Sequence, residues 1–329
     1  MTKGLGRRLA GLRIDYYLVI IVAVMVLASL VPARGQAAEA LGWVTRIAIG
    51  LVFFLYGARL SREAVIGGLA HWRLHLLVLG CTYLLLPALC VGLAALPAWI
   101  TPPALSAGII FLGCLPSTIQ SSIAFTGIAR GNVAAAVAAA SASNLLGVFL
   151  TPLLVGVLLH AQGAVSAGSI WNIVLQLLAP FAAGQLLRPW IGAWVTSQGK
   201  WLTKVDRGSI VLVVYTAFSG AVVGGVWSRL DVLDLVRLVI LCSVLLAAAL
   251  SATWLLARRF DRADRIAILF CGSKKSLASG APMAAALFPA AVAGVALLPL
   301  MIFHQIQLMA CAAIAQRYAK QEDLQAESR

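Results

Sequence analysis

The chain has 329 residues, of which 62% are hydrophobic and 11% are charged, and its formal net charge is +14. Soluble domains carry about 25% charged residues, so a soluble chain this apolar could not cover its own surface. The basic residues punctuate the apolar runs instead of clustering on one face. This argues against a nucleic-acid partner and predicts an integral membrane protein that contacts a lipid bilayer.

The apolar runs are long and lack alternation of apolar and polar residues, which predicts helical spans. Ten such segments are present, and most reach the ~20 residues that a helix needs to cross the hydrocarbon. They cover residues 14–32, 41–60, 74–96, 104–128, 132–159, 169–189, 208–227, 234–257, 265–288 and 291–316. The prediction is an all-α protein with ten transmembrane helices in a single membrane domain over residues 1–329.

Basic residues in the linkers set the predicted orientation. With the N-terminus inside, 19 of the 25 basic residues fall on the cytoplasmic side and four on the other. This bias predicts a multi-pass protein of the plasma (inner) membrane with both termini in the cytoplasm. The first span has the basic start of a signal peptide, but the charge alternation requires that it remain. The polar tail over residues 318–329 is predicted to be disordered.

Two of the spans contain polar, helix-breaking stretches. In the fourth span residues 113–118 read GCLPST, and in the ninth span residues 271–276 read CGSKKS. Lys274 and Lys275 thus lie at bilayer depth, where a cation costs about 2.5–3.5 kcal/mol, and no acidic residue of the spans lies there to meet them. Broken helices at the midplane are where secondary transporters bind substrate, so both stretches are predicted to be breaks.

The two halves of the chain resemble each other. Residues 120–124 (QSSIA) match residues 274–278 (KKSLA), and residues 54–58 (FLYGA) match residues 213–217 (VVYTA), with offsets of 154 and 159 residues. Each offset is close to five spans, and an odd number of spans inserts the second copy upside down. We therefore predict two inverted five-helix repeats, over residues 14–160 and 165–317, whose broken fourth helices cross at one central polar site.

Polar residues of spans 4, 5, 9 and 10 are the candidates for substrate or ion binding. They are Ser117, Thr118, Gln120, Ser121, Ser122, Ser141, Ser143, Asn144, Ser273, Lys274, Lys275, Ser276, His304 and Gln307. Two alternatives stay open at this point. The hydroxyl groups could bond carbonyls of their own helices or join neighbouring helices, and Lys275 could snorkel or contact a backbone carbonyl.

Other chemistries find little support in the sequence. Ser276 beside Lys275 could be read as a hydrolytic dyad, but nothing supplies the rest of such a site, so no enzyme is predicted.

His71 and His75 share a helix face, but no carboxylate or cysteine completes a metal site, so a solvated helix start is expected. The six cysteines lie inside apolar segments without CxxC spacing and are expected to be small buried hydrophobes. No metal or cofactor is predicted.

Several strings together resemble the bile acid:sodium symporter superfamily, and most closely its SBF-like branch. They are residues 116–122 (PSTIQSS), 129–133 (ARGNV), 141–144 (SASN), 150–154 (LTPLL) and 271–282 (CGSKKSLASGAP). The resemblance covers residues 14–317. It implies a ten-helix fold in which spans 1, 2, 6 and 7 form a panel and spans 3–5 and 8–10 form a core. Spans 4 and 9 would unwind where they cross, and family members move organic anions with sodium.

The chain departs from the sodium-coupled pattern of that family. Where the pattern has polar residues of span 5, this chain has Ala136 and Ala140, and where it has an acidic residue of span 9, this chain has Phe270. A glutamine of the second sodium site is replaced by Lys274. An ammonium about 4 Å from sodium would be strongly repulsive, so we expect Lys274 to occupy a cation's place, with coupling to protons or to no ion.

The sequence thus predicts a secondary active, symporter-like transporter of a small organic anion that works by alternating access. One alternative is a sodium-coupled symporter of the bile-acid type whose ion ligands are backbone carbonyls. Another is a membrane factor that regulates other proteins or assists envelope assembly without moving solute. Substrate identity and oligomeric state do not follow from the sequence.

Overall fold

The computed structural model describes residues 16–59, 71–160, 167–228 and 230–327, and within these ranges the regular structure is entirely helical. The helices are α1 (Tyr16–Leu30), α2 (Gly35–Arg59), α3 (Trp72–Ala94), α4 (Pro103–Cys114), α5 (Ile119–Ile128), α6 (Val133–His160), α7 (Ala167–Ser197), α8 (Gly199–Val223), α9 (Val232–Leu256), α10 (Arg262–Gly272), α11 (Leu277–Leu287) and α12 (Ala290–Glu327). Short 3₁₀ turns follow α8 and α9.

Helices occupy all ten apolar segments predicted from the sequence, and the fourth and ninth segments each contain two helices. Within the described ranges, six helices are long and apolar enough to cross a membrane: α2, α3, α6, α8, α9 and α12. The bent pair α4 and α5 adds a seventh span if it is counted as one. The prediction of an all-helical chain with several membrane spans is confirmed, whereas the number ten remains a prediction.

The structure differs from the sequence-based expectation at the C-terminus. Helix α12 continues to Glu327, so the prediction of disorder over residues 318–329 is wrong for the described part of that tail. Residues 317–327 contain no Gly or Pro and are rich in Ala, Gln, Glu and Lys, which favour helix. Arg262 also donates a hydrogen bond to the carbonyl of Tyr318 at 3.1 Å, which ties the extension to the start of α10.

Part of the charge pattern used for the predicted orientation cannot be placed. The basic residues that lie outside the described ranges are Lys3, Arg7, Arg8, Arg13, Arg62, Arg229 and Arg329.

The aromatic residues agree with a membrane setting. Eight tryptophans are at least 38% exposed, and most lie near helix ends: Trp43, Trp72, Trp99, Trp190, Trp194, Trp201, Trp227 and Trp254. Such aromatic side chains are enriched at membrane–water interfaces.

Helices α1, α2, α7 and α8 pack together as one group, which we call the first helix group. Its closest crossing joins α2 to α7 through two glycines. A Cβ on Gly57 would overlap the carbonyl oxygen of Phe181, and a Cβ on Gly184 would overlap that of Phe54. Small residues let membrane helices approach backbone to backbone, and here they are required on both sides of the crossing.

The remaining helices, α3–α6 and α9–α12, form the second helix group. Helix α4 lies between the C-terminal half of α3 and α12, and α10 packs against α3, α5 and α6. Helix α3 contains a π-helical turn at Cys81–Leu85, a feature that is frequent at functional sites. The two groups meet where α8 packs against α11 and α12 and where α7 packs against α6 and α11.

Replacing Gly57 by Ala should destabilise the protein by about 1–3 kcal/mol, because the added methyl group forces α2 and α7 apart. Gly42 of the same helix is the matched control, since its Cβ would meet nothing within 4 Å. Thermal denaturation of the detergent-purified variants measures the difference. Equal melting temperatures for Gly57→Ala and Gly42→Ala would show that the crossing is not tightly packed.

Candidate functional site

The two helix breaks lie directly against each other. Helix α4 ends at Cys114 and α5 begins at Ile119, with an angle of 63° between them, and α10 and α11 are separated by residues 273–276. The two extended segments are joined by hydrogen bonds. The amide of Ser276 donates to the carbonyl of Pro116 at 2.9 Å, and Thr118 Oγ1 donates to the carbonyl of Lys275 at 2.8 Å. Both interruptions predicted from the sequence are therefore present.

Unwound backbone is tolerated in a membrane protein only where its polar groups find partners. In the first break, the amide of Ser117 donates to Ser143 Oγ at 3.0 Å, and Asn144 Nδ2 donates to the carbonyl of Ser117 at 2.6 Å. In the second break, the side-chain amide of Gln307 pairs with both backbone groups of Lys275, at 2.9 and 2.8 Å. Each break is thus held by side chains of the long helix that follows it, α6 or α12.

Other predicted site residues satisfy the ends of the half-helices. Ser117 Oγ and Ser122 Oγ donate to the carbonyls of Cys271 and Phe270 at 2.6 and 2.8 Å, and Ser273 Oγ donates within α10 to Leu269. These carbonyls belong to the last turn of α10, which has no intrahelical donors. All three serines are fully buried; Ser117 and Ser122 join the first broken span to the second, whereas Ser273 satisfies a carbonyl at the end of its own helix.

Lys275 carries its ammonium group into a cage of carbonyl oxygens. Its Nζ lies 2.7 Å from the carbonyl oxygen of Thr82, 2.6 Å from that of Gly113 and 2.6 Å from that of Leu115. The first carbonyl comes from the π-turn of α3, and the other two lie at the C-terminal end of α4, which carries the negative pole of the helix dipole. The side chain is fully buried, and three oxygens around one positive charge is an arrangement that also suits a metal cation.

Lys274 has different surroundings. Its Nζ donates to Ser121 Oγ at 3.1 Å and lies 4.5 Å from the ring centroid of Phe125 and 5.7 Å from that of Phe270. The sequence-based hypothesis gave Lys274 the place of a coupling cation, but the structure gives oxygen coordination to Lys275. The sequence had left open whether Lys275 contacts a backbone carbonyl. The structure shows that it does. Spacing alone could not distinguish two adjacent side chains of an unwound segment.

A cavity of about 420 Å³ opens on one side of the crossing, between the two helix groups. Half of the predicted site residues line it: Thr118, Gln120, Ser121, Ser141, Asn144, Ser276 and His304. The other half lie behind its wall, namely Ser117, Ser122, Ser143, Ser273, Lys274, Lys275 and Gln307. The predicted set therefore divides into residues that line the cavity and residues that do not, and Thr118 and Asn144 of the first half also bind the backbone of the breaks.

The structure adds charged residues that sequence reasoning missed. Arg59 of α2 and Asp206 and Arg207 of α8 line the same cavity, and Arg59 Nη1 lies 3.4 Å from Asp206 Oδ2. These residues fall at the ends of the predicted second and seventh spans, where charged side chains were counted as loop residues. Asp206 and Arg207 were missed because α8 begins at Gly199, before the apolar run that starts at residue 208.

The floor of the cavity is formed by the N-termini of two half-helices. Helix α5 begins at Ile119 and α11 at Leu277, and both residues line the cavity. Ser276 Oγ caps α11 by accepting from the amide of Ser279, whose hydroxyl donates to Asn144 Oδ1 at 2.7 Å. Helix N-termini carry the positive pole of the dipole and favour anions, and the two termini converge here beside basic side chains.

A second cavity, of about 450 Å³, lies at another level of the same two helix groups. Thr45 and Arg46 of α2, Thr216 of α8 and residues 285, 286 and 288–290 around the end of α11 line it. The hydroxyl groups of Thr45 and Thr216 are 2.9 Å apart. Helices α2 and α8 therefore contribute to both cavities, and the buried side chains of Phe53, Val213 and Val214 lie between the two levels along these helices.

One of the strings that carry the family resemblance has a structural role. The string at residues 129–133 forms a tight turn in which Arg130 has a φ of 57° and Asn132 Nδ2 donates to Asp264 Oδ1 at 2.7 Å.

His71 is exposed but His75 is buried, so the expected solvated helix start is wrong for His75. All six cysteines are free and buried, as predicted. Within the described part of the chain, no three His, Cys, Asp or Glu side chains are grouped to hold a metal.

Several apolar spans, two broken helices in contact and a polar cavity at their junction together define a membrane transport protein. The chain belongs to the SBF-like CPA transporter family, whose model matches residues 15–320. This confirms the resemblance found in the sequence. It also identifies the chain as a multi-pass transporter with a small-molecule substrate and not as an enzyme.

Relatives of this chain support the same assignment. It is 56% identical to "Uncharacterized protein PA2026" of Pseudomonas aeruginosa, over 94% of each chain. It is 52% identical to "Putative symporter YfeH" of Escherichia coli K12, over 95% of this chain and 96% of that one. It is also 28% identical to "Sodium/bile acid cotransporter 7" of Mus musculus, over 92% of each chain.

Replacing Gln307 by Leu should cost about 1–3 kcal/mol of stability, because the amide of Lys275 loses its acceptor and its carbonyl loses one donor inside the membrane. Gln305→Leu on the same helix is the control, since Gln305 is only half-buried. Thermal denaturation in detergent compares the two variants. A melting temperature for Gln307→Leu as high as that of Gln305→Leu would mean that the break does not depend on this amide.

Proposed function

We propose that this chain is a secondary active transporter of a small organic anion and that it works by alternating access. The proposal is supported chiefly by the convergence of the α5 and α11 N-termini on one cavity that also contains Arg59 and Arg207. Two positive helix ends and two guanidinium groups favour a negatively charged solute. We place the protein in the plasma (inner) membrane with both termini in the cytoplasm, as the charge bias indicates.

The proposed architecture is ten spans in two inverted repeats. The first helix group contains spans 1, 2, 6 and 7, which is the proposed panel, and the second contains spans 3–5 and 8–10, the proposed core. The two breaks are supported in matching ways, because Asn144 of span 5 binds the backbone of the first and Gln307 of span 10 binds that of the second. Such equivalence is expected if both halves descend from one five-helix unit.

The cavity also suggests the shape of the solute. Apolar side chains, including Leu145, Val148, Phe181 and Ile210, also line it. Its volume of about 420 Å³ lies within the range of ~300–1,000 Å³ that is usual for small-molecule sites. We therefore propose a carboxylate or sulfonate with an apolar body, whose charged group binds near the half-helix N-termini.

The ammonium of Lys275 takes the place that a coupling sodium ion would need in this proposal. The cage of three carbonyl oxygens already contains a covalently attached cation, and a second cation at this position would be strongly repelled. Lys274 supports the cavity indirectly, by holding the hydroxyl of Ser121 from behind the wall. Transport should therefore not require sodium. The second candidate is a sodium-coupled symporter, which the name of the mouse relative, "Sodium/bile acid cotransporter 7", favours.

Uptake of radiolabelled cholate and benzoate into proteoliposomes tests the proposal. Uptake of at least one probe should persist undiminished when sodium is replaced by choline, because Lys275 supplies the fixed charge. Liposomes without protein provide the background. Collapse of uptake in choline would support the sodium-coupled candidate, and no uptake of either probe in either salt would support a regulatory or envelope-assembly role.

Removing the Lys275 side chain should convert the carbonyl cage into a sodium site. Lys275→Ala should lose about 3 kcal/mol or more, because three buried carbonyl groups lose their donor. Sodium chloride should restore part of this loss and choline chloride should not. The readout is the melting temperature of the detergent-purified variant in each salt.

Lys274→Ala is the matched control for this experiment, since its ammonium group contacts one hydroxyl group and two aromatic rings, which are poor sodium ligands. Sodium should therefore not restore its stability. Stabilisation of the unmodified protein by sodium over choline would contradict the assignment of Lys275 to a cation's place.

A further inference from the structure

The cavity wall contains one carboxylate among its lining residues, and an anion site does not explain it. Asp206 of α8 lies beside Arg59, the last residue of α2, and both face the space where the solute is proposed to bind. The exposed fractions of the two side chains are 16% for Asp206 and 30% for Arg59. A fixed negative charge this close to a bound anion would weaken its binding unless the charge were removed.

The ion pair between these residues is loose. Arg59 Nη1 and Asp206 Oδ2 are 3.4 Å apart, whereas charge-assisted hydrogen bonds are usually about 2.7–2.9 Å long. The second carboxylate oxygen, Oδ1, is buried, and no group of the described residues donates a hydrogen bond to it. A buried acceptor without a donor is costly, and binding a proton is one way to remove the charge that creates the cost.

We propose that Asp206 is the proton-binding residue of the transport cycle, protonated when an organic anion replaces it as the partner of Arg59. This proposal rests on the proposed function, because it needs an anion in the cavity. On binding, the Asp206 carboxylate takes up one proton from the buffered solution and the anion forms an ion pair with Arg59. On release, the anion leaves, Asp206 gives up the proton on the same side and pairs with Arg59 again.

Charge is balanced through these steps for a monovalent anion. The empty cavity contains the negative charge of Asp206, and the loaded cavity contains the negative charge of the solute with a neutral Asp206. The loaded and empty proteins therefore carry the same net charge across the membrane. One proton moves with each anion, which supplies the coupling that a fixed ammonium group at Lys275 cannot supply.

Among the residues that the structure describes, few other titratable groups line this cavity. Tyr56 and Arg59 come from α2, Arg207 is next to Asp206 on α8, and His304 comes from α12. The lining residues from α5, α6, α7 and α11 do not titrate, and Arg188 of α7 and Lys204 of α8 do not line the cavity. His304 Nδ1 lies 2.8 Å from Gln307 Nε2, so its ring is held at the second break. Arg59 is the group in a salt bridge with Asp206.

Proton uptake on anion binding tests the proposal on the purified full-length protein. Acetate, benzoate, cholate and sulfate are titrated separately into weakly buffered protein between pH 6 and 8, with binding measured by calorimetry and pH followed with an electrode. For each monovalent anion that binds, the protein should take up about one proton, and its affinity should rise by up to about tenfold for each unit that the pH falls.

Asp206→Asn should bind the same anions without proton uptake, with an affinity that no longer depends on pH. At neutral pH it should bind them more tightly than the unmodified protein, because the competing charge is absent. Glu39→Gln is the matched control, since Glu39 is exposed near the start of α2, and this variant should keep full proton uptake. Thermal denaturation and size-exclusion chromatography check that both variants are folded.

Each outcome decides one of the two proposals. If none of the four anions binds the unmodified protein, the anion site fails and the role of Asp206 fails with it. If a monovalent anion binds without proton uptake, or if Asp206→Asn still takes up a proton, the role of Asp206 is overturned while the anion site stands. The proton count of the unmodified protein decides the question even if Asp206→Asn does not fold.

Discussion

The contact between the Lys275 ammonium group and three backbone carbonyls is the interaction on which the rest of the structure depends. An ammonium has three donors, and Thr82, Gly113 and Leu115 supply three acceptors, so every donor is satisfied inside the protein. The contact joins α3, α4 and the second break at one point. It also neutralises the C-terminal pole of α4 where water is excluded, which allows two helices to stop and restart within the membrane.

Around this point the polar side chains divide into two populations. Those behind the cavity wall, such as Ser117, Ser143 and Gln307, use their hydrogen bonds on backbone groups that the breaks expose. Those in front, such as Gln120 and Ser141, face the cavity. The division has a physical cause, because an unwound segment has more unpaired backbone groups than its neighbouring helices can satisfy. Much of the polar composition that signals transport in the sequence is therefore used to stabilise the crossing.

The sequence predicted the class of protein, the ten helical segments and both breaks, because apolar length and interrupted runs are local signals. It also predicted residues that lie at the crossing, since buried polar side chains are rare in a membrane. It did not distinguish Lys275 from Lys274, because side-chain direction in an unwound segment follows no helical period. It missed Arg59 and Asp206, whose place in the cavity depends on how α2 and α8 pack against the second helix group.

The crossing of α2 and α7 at Gly57 and Gly184 has a mechanical consequence. Close backbone contact on both sides leaves no room for a side chain between the two helices, so we expect them to move together. Helix α2 borders one cavity near Thr45 and the other near Arg59. A tilt of the α2–α7 pair about a point near Phe53 would widen one cavity and narrow the other. The glycine pair would thus couple the two ends of the helix pair, so that a movement at one end is transmitted to the other.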